Sequence, residues 1–191
     1  MRIADDISAL RDELALRSAA ASPGPARVAL AGRPASPAPP NPWPNAGRRE
    51  PLATFQTVQW AIHEADLDAL VNLLAFDDEA FAAAVDFFDR LDPESREEFG
   101  SPQRLIAAAV AAKSRTGIER ADLVATTTSP EGPVSARLRV SGSQVKAREI
   151  TLHFEPSADG WRLRVPAKVV TGYRNLLLGP VVDPYTHEFI R

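Results

Sequence analysis

The stretch TFQTVQWAIHEADLDALVNLLAFDDEA, residues 54–80, contains two apolar periodicities separated by a short acidic segment. Apolar residues recur at spacings of three and four on both sides of that segment, which is the pattern of two amphipathic helices. They are Phe55, Val58, Ala61 and Ile62 before it, and Leu67, Leu70, Val71 and Leu74 after it. Asp66 stands at the predicted N-cap of the second helix, where its carboxylate can accept hydrogen bonds from first-turn N–H groups. The stretch therefore predicts two helices joined at a tight corner.

The helical pattern continues toward residue 118. Further helices are predicted over 79–91, 93–99 and 103–115. Asp92 and Pro93 mark the start of the second of these, because aspartate caps a helix and proline suits its first position. Gly100 marks its end, since glycine readily takes the left-handed conformation found at helix C-termini.

From residue 118 the apolar period changes to two, which indicates strands with one buried face. The alternation runs through 134–140, 150–155 and 161–165, with turn-forming residues between these segments. Together with 118–128 they predict a four-stranded antiparallel sheet whose apolar face the helices cover. A closing helix is predicted over 167–178. The fold class is therefore α+β: a curved antiparallel sheet of about four strands packed against N-terminal helices.

Composition divides the chain into four segments. Residues 1–19 are predicted to form a short amphipathic helix, and residues 20–51 a flexible linker, because this stretch holds nine of the 17 prolines and lacks apolar periodicity. The folded domain spans 52–179, and 180–191 is a C-terminal tail. An oligomerising role for the first helix, and recognition of the linker by a proline-binding domain, are alternatives to these interpretations. Trp43, between two prolines, is the linker residue that could dock onto the domain.

Composition also excludes several classes of protein. The chain has no cysteine, so it has no disulfide framework, thiolate nucleophile or cysteine zinc site. Its net charge of −3 argues against a generally basic nucleic-acid binder, although the helical half is acidic and the strand half mildly basic. No apolar run reaches the length of a membrane span, and no signal-peptide core is present. The expected compartment is the cytoplasm, or the periplasmic side of a membrane if an upstream anchor is missing.

Residues 60–79, WAIHEADLDALVNLLAFDDE, resemble the opening of the nuclear-transport-factor-two-like superfamily, which includes SnoaL-like and ketosteroid-isomerase-like proteins. Ala65 stands where those proteins usually carry glycine. The order of the later elements agrees, so the resemblance covers 52–179. It implies a curved sheet wrapped around helices to enclose a cone-shaped pocket, and it includes enzymes, binding modules and dimerisation domains. Similar domains are appended to bacterial regulatory or membrane-anchored proteins.

The resemblance places candidate site residues around that implied pocket. The pocket-lining candidates are Phe55, Trp60, Leu138, Phe154 and Trp161. The weak catalytic candidates are His63, Asp66, Asp122 and Tyr173, with Lys168 near the same rim. His63 could act as a general base at the pocket mouth, or be an ordinary exposed residue at a helix end. No histidine pair has ligand spacing, so neither a metal site nor a cofactor is predicted.

Two functions from different classes follow. The first is a non-catalytic ligand-binding or protein-interaction module on a flexible tether, with a small apolar ligand or a protein as partner and no nucleic acid. The alternative is a small SnoaL-like or isomerase-like enzyme, for which an ionisable side chain would have to project into an open apolar pocket. A homodimer through the charged outer sheet face is a further possibility. The basic residues of that face are Arg137, Arg139, Lys146, Arg162 and Arg164, and mutual pairing with Glu149 and Glu155 is the first interpretation.

Overall fold

The structure, a computed structural model, describes residues 41–113, 117–128, 132–143 and 145–178. The predicted N-terminal helix, residues 20–40 of the predicted linker and the C-terminal tail lie outside the described residues. The helices are α1 (Pro51–Glu64), α2 (Leu67–Leu73), α3 (Asp78–Asp89), α4 (Pro93–Phe99), α5 (Pro102–Lys113) and α6 (Ala167–Leu178). The strands are β1 (Leu74–Ala75), β2 (Arg120–Thr128), β3 (Val134–Gly142), β4 (Val145–Ser157) and β5 (Gly160–Arg164). The α+β class is confirmed.

Side-chain caps start the helices where the sequence predicts them. An Oδ1 atom of Asp66 accepts a hydrogen bond from the Ala69 N–H at 2.9 Å, and Asp92 does the same for Ser95 at 2.9 Å. Each cap satisfies an N–H group that has no partner within its helix, which is worth about 1 kcal/mol. Gly100 ends α4 with φ of 71°. Helix boundaries in this region are therefore set by local side-chain chemistry.

Ala65 forms the corner between α1 and α2 in a left-handed conformation. Its φ of 56° is the one positive value of a non-glycine residue in the described ranges. Its N–H closes α1 through the Ile62 carbonyl, at 3.3 Å. This conformation costs alanine about 1 kcal/mol or more, whereas glycine adopts it freely. The backbone at Ala65 therefore has a conformation that suits glycine, and the alanine side chain makes it strained.

The sheet has five strands in the order β1-β5-β4-β3-β2, so the prediction of four strands was incomplete. Strands β2 to β5 form the predicted antiparallel meander, and β1 adds a parallel edge. Leu74, which the sequence pattern placed in a helix, leaves α2 and pairs with Leu163 of β5. The Ala75 carbonyl also accepts a hydrogen bond from the Val165 N–H at 2.9 Å. A two-residue strand is too short to show an alternating pattern in the sequence. Only its pairing with a partner strand identifies it.

The alternation of β3 and β4 places their apolar residues on one face, as predicted. The buried residues of that face are Val134, Ala136, Leu138, Val140 and Phe154. On the opposite face Glu149 pairs with Arg139 at 3.0 Å and with Arg137 at 3.5 Å, and Ser135 bonds His153 at 2.9 Å. The predicted mutual pairing is thus confirmed for Arg137 and Arg139 with Glu149, while self-association through this face stays a prediction.

Two hydrophobic clusters form the core, and α1 contributes to both. One lies among the helices around Leu70, Phe87 and Ile106, each fully buried. The other lies between α1 and the sheet, and includes Leu138 and Phe154. None of the described helices combines the length and apolar character needed to cross a bilayer.

The segment 41–50, which belongs to the predicted linker, contacts the sheet. Trp43 is only 6% exposed and meets Phe55 edge to face, with ring centroids 5.7 Å apart. Its Nε1 donates a hydrogen bond to the Ile118 carbonyl at 3.3 Å. The Trp161 N–H donates to the Arg48 carbonyl at 2.8 Å. The segment is thereby attached to β5 and to the chain entering β2.

The approach of Arg48 to β5 depends on Gly160. This glycine has φ of 118°, and a Cβ placed on it would lie 2.2 Å from the Arg48 carbonyl oxygen. Any side chain would therefore collide with the backbone of the 41–50 segment. The turn before β5 and the docking of this segment thus require the same glycine.

Candidate functional site

The five residues predicted to line a pocket are packed against other parts of the chain. Phe55, Leu138 and Phe154 are buried, and the half-buried Trp60 and Trp161 pack against the same cluster. Trp43 completes this cluster from the 41–50 segment. The apolar side of the sheet is thus occupied by aromatic rings contributed from three separate parts of the chain. This cluster, here called the concave cluster, stands where the family resemblance implied a cone-shaped pocket.

The weak catalytic candidates lie on different elements. His63 is exposed in the last turn of α1, and the Asp66 carboxylate caps α2. Asp122 is exposed on β2, where it pairs with Arg120 at 3.1 Å. Asp66 therefore has a capping role and Asp122 a surface-pairing role, while His63 lies at an exposed helix end.

Tyr173 and Lys168 belong to α6, which packs against α3. Tyr173 packs against the helical core, and burial raises the pKa of its hydroxyl. Lys168 is exposed. Among the described residues, no three histidine, aspartate or glutamate side chains gather in a group that could hold a metal ion.

A small apolar cavity of about 20 Å³ lies among the helices, beside Phe87, Leu105 and Leu177. A space of this size holds at most one water molecule, and its apolar lining offers that water no hydrogen-bond partners. It is a packing defect of the helical core and has no capacity for a ligand.

A second depression, here called the β5 groove, measures about 420 Å³ and lies at the β1–β5 edge of the sheet. No pocket is predicted at this place from the amino-acid sequence. Arg162 of β5 and Glu155 of β4, which are register partners across the two strands, contribute its charges. Ligand pockets in proteins are typically about 300–1,000 Å³, so the groove has the size of a small-molecule site.

A network of ion pairs borders the β5 groove. Arg164 donates a hydrogen bond to Asp77 at the start of α3 and lies 3.3 Å from the Glu155 carboxylate. The hydrogen bond from Arg164, and after it the N–H of Ala80 at 2.7 Å, lowers the pKa of Asp77. The same pairing raises the pKa of Arg164. The Asp77–Arg164 pair therefore stays charged at neutral pH, and the network joins α3 to the last two strands.

This network predicts a pH-dependent effect of Asp77→Asn. Asparagine keeps an oxygen that can cap α3 and removes the charge that pairs with Arg164. Because the pKa of Asp77 is lower in the folded chain, its stabilisation is complete above the unfolded pKa of about 4 and is lost as pH falls through the folded pKa. We expect a loss of about 0.5–1 kcal/mol at pH 7, since the pair is partly exposed, and a smaller loss at about pH 3.

Urea unfolding of Asp77→Asn and of the parent chain at a series of pH values measures this difference. The matched control is Asp122→Asn, which breaks an exposed pair and should cost less than about 0.5 kcal/mol. A loss for Asp77→Asn that is the same at pH 3 and pH 7 would show that the charge contributes nothing.

Comparison with known proteins concerns the fold alone. No protein-family model matches the chain, and no curated protein matches its sequence. Among solved structures, it is similar to an NTF2-like protein from Campylobacter jejuni that is provisionally named a transpeptidase. The two are 12% identical, the alignment covers 61% of this chain and 98% of that one, and the TM-score is 0.36. NTF2-like is the short form of nuclear-transport-factor-two-like, the superfamily that residues 60–79 resemble.

Proposed function

We propose that this chain is a non-catalytic binding module, preceded in the chain by the proline-rich residues 20–40. The filled concave cluster is the observation that supports this function most directly. An isomerase-like enzyme needs an open apolar pocket and an acid or base inside it. Here Leu138 and Phe154 at the centre of the sheet have no exposed surface, and Phe55 is 3% exposed. The side of the sheet that would hold a substrate is instead used as hydrophobic core.

The positions of the charged residues support the same proposal. The buried members of the concave cluster are all apolar apart from the Trp43 indole N–H, which is satisfied by the Ile118 carbonyl. The ionisable candidates His63 and Asp122 are exposed. Binding surfaces of this protein are therefore expected on the outside of the domain, with the folded domain acting as a rigid support.

Titration with small apolar rings tests this proposal. Benzene and indole are added to isotopically labelled protein, and the backbone and methyl resonances of the concave cluster are followed by NMR. We expect no saturable shifts of Phe55, Leu138 or Phe154 in the parent chain, because a close-packed core excludes such ligands.

The matched control is Leu138→Ala, which removes part of a fully buried side chain and opens a dry cavity of the kind that binds benzene. Saturable shifts in Leu138→Ala, and none in the parent chain, would support a filled cluster. Saturable binding of indole to the concave cluster of the parent chain would contradict the proposal and favour the enzyme.

A further inference from the structure

We propose that the β5 groove binds a carboxylate that carries an apolar group, with Arg162 as the residue that receives the carboxylate. This inference rests on the proposed function as a binding module and gives that function a site. It is independent of the concave cluster, because side chains alternate along a strand. Glu155 and Arg162 therefore lie on the face opposite their neighbours Phe154 and Leu163.

Arg162 is a cation without a partner in the described part of the chain. Its Nε atom is buried and makes no hydrogen bond. The neighbouring arginines are all engaged: Arg164 binds Asp77 and Glu155, and Arg48 binds Asp159 and the Asn72 carbonyl. A donor left without an acceptor destabilises a protein. Because Arg162 lines the β5 groove, a ligand bound there can offer its guanidinium group the acceptor that the described residues do not.

The chemistry of arginine defines the acceptor. A guanidinium group presents its Nε and terminal N–H groups as a planar fork that matches the two oxygens of a carboxylate. Glu155 lines the same groove, although its own charge is shared with Arg164 at 3.3 Å. Because Glu155 pairs with Arg164, Arg162 supplies one uncompensated positive charge at the groove, which matches the single charge of a carboxylate better than that of a phosphate dianion.

The walls of the groove define the rest of the ligand. Val71, Phe76 and Phe81 provide apolar surface, and Phe81 is 42% exposed. An exposed ring of this size gains free energy when an apolar group covers it. The groove therefore combines one fixed charge with an apolar wall, which fits an amphipathic carboxylate.

Two sources of such a carboxylate are possible, namely a free fatty or aromatic acid and the C-terminus of an apolar peptide. The amide side chains of Asn72 and Gln103 also line the groove and could bond a peptide group as well as a carboxylate. The chemistry at Arg162 is the same for both sources, so the test includes one probe of each kind.

Octanoate is the first probe, and NMR of the full chain follows the Arg162 Nε–H resonance together with those of Phe76 and Phe81. Octanamide has the same alkyl chain without the charge, and acetate has the charge without the chain. We expect saturable shifts with octanoate and much weaker binding of both controls. The peptide arm compares N-acetylated trileucine with a free C-terminus to the same peptide with an amidated C-terminus.

Arg162→Gln is expected to weaken octanoate binding by about 10- to 100-fold, as for a lost charge-assisted hydrogen bond. The matched control is Arg139→Gln, which removes an exposed arginine of the outer sheet face and should leave the affinity unchanged. Arg162→Lys keeps the charge and loses the fork, so it should restore only part of the affinity. Phe81→Ala, at a partly exposed position that tolerates truncation, should weaken octanoate about fivefold and acetate hardly at all.

The proposal is overturned if octanamide binds as tightly as octanoate, if Arg162→Gln leaves octanoate binding unchanged, or if Arg139→Gln causes the same loss. Preference for the peptide with a free C-terminus over octanoate would assign the site to a protein partner, and the reverse would assign it to a small acid. Octanoate binding by the Arg162 and Phe81 variants tests the ligand site, whereas the NMR shifts of Phe55 and Leu138 with benzene and indole test the proposed function. The two proposals can therefore fail separately.

Discussion

Phe154→Ala is expected to lower the free energy of unfolding by about 3–5 kcal/mol, the range for truncating a buried aromatic residue. Phe154 has no exposed surface, and its register partners on the two sides are Val134 and Leu163. Its ring belongs to the concave cluster, so truncation would leave a cavity bounded by the sheet on one side and Phe55 on the other. Sheet and helix are both fixed by other contacts and can close such a cavity only in part.

Urea unfolding monitored by circular dichroism measures this loss. The matched control is Phe81→Ala, which removes the same atoms from a ring that is 42% exposed and should cost less than half as much. Equal losses for the two variants, or a loss below about 1 kcal/mol for Phe154→Ala, would show that the apolar face of the sheet is not packed as described.

Trp43→Ala has the second largest expected effect, about 3 kcal/mol, although Trp43 lies in a segment whose composition is that of a linker. Three contacts disappear together: the burial of the ring, the edge-to-face pair with Phe55 and the hydrogen bond to the Ile118 carbonyl. Aromatic pairs of this kind are worth about 0.5–1.5 kcal/mol beyond the burial of their surface. The variant tests whether the 41–50 segment is part of the domain.

Trp43→Phe separates these contacts, because phenylalanine keeps a ring in place and cannot donate to Ile118. We expect it to cost about 1–2 kcal/mol, since the Ile118 carbonyl loses its donor and part of the ring volume is lost. Unfolding of the three proteins under the same conditions gives the comparison. If both variants unfold like the parent chain, the segment is only loosely attached and the concave cluster is open at that end.

Features that depend on neighbouring residues in the chain were predictable from the sequence. Asp66 and Asp92 cap helices at the predicted positions because an N-cap bond joins residues three apart. The alternation from Val134 to Val140 placed the buried face of β3 correctly, because strand geometry alternates side chains by itself. The pairing of Glu149 with Arg139 followed from the same alternation.

Features that depend on distant segments were not predictable in the same way. Leu74 and Ala75 continue a helical pattern, and they form a strand only because β5 offers them a parallel partner. The β5 groove had no signal in the sequence, since Phe81 and Arg162 are far apart in the chain and each is ordinary in its local context.

Local periodicity and capping therefore determined the α+β class, the order of most elements and the apolar face of the sheet. Tertiary structure alone decided that Trp43 and Phe55 fill that face. It also decided that, among the described residues, Arg164 has two partners and Arg162 has none. The physical reason is that hydrogen-bonded helices and strands are specified by residues a few positions apart, whereas a filled cluster and an unpaired charge depend on which surfaces meet when those elements pack.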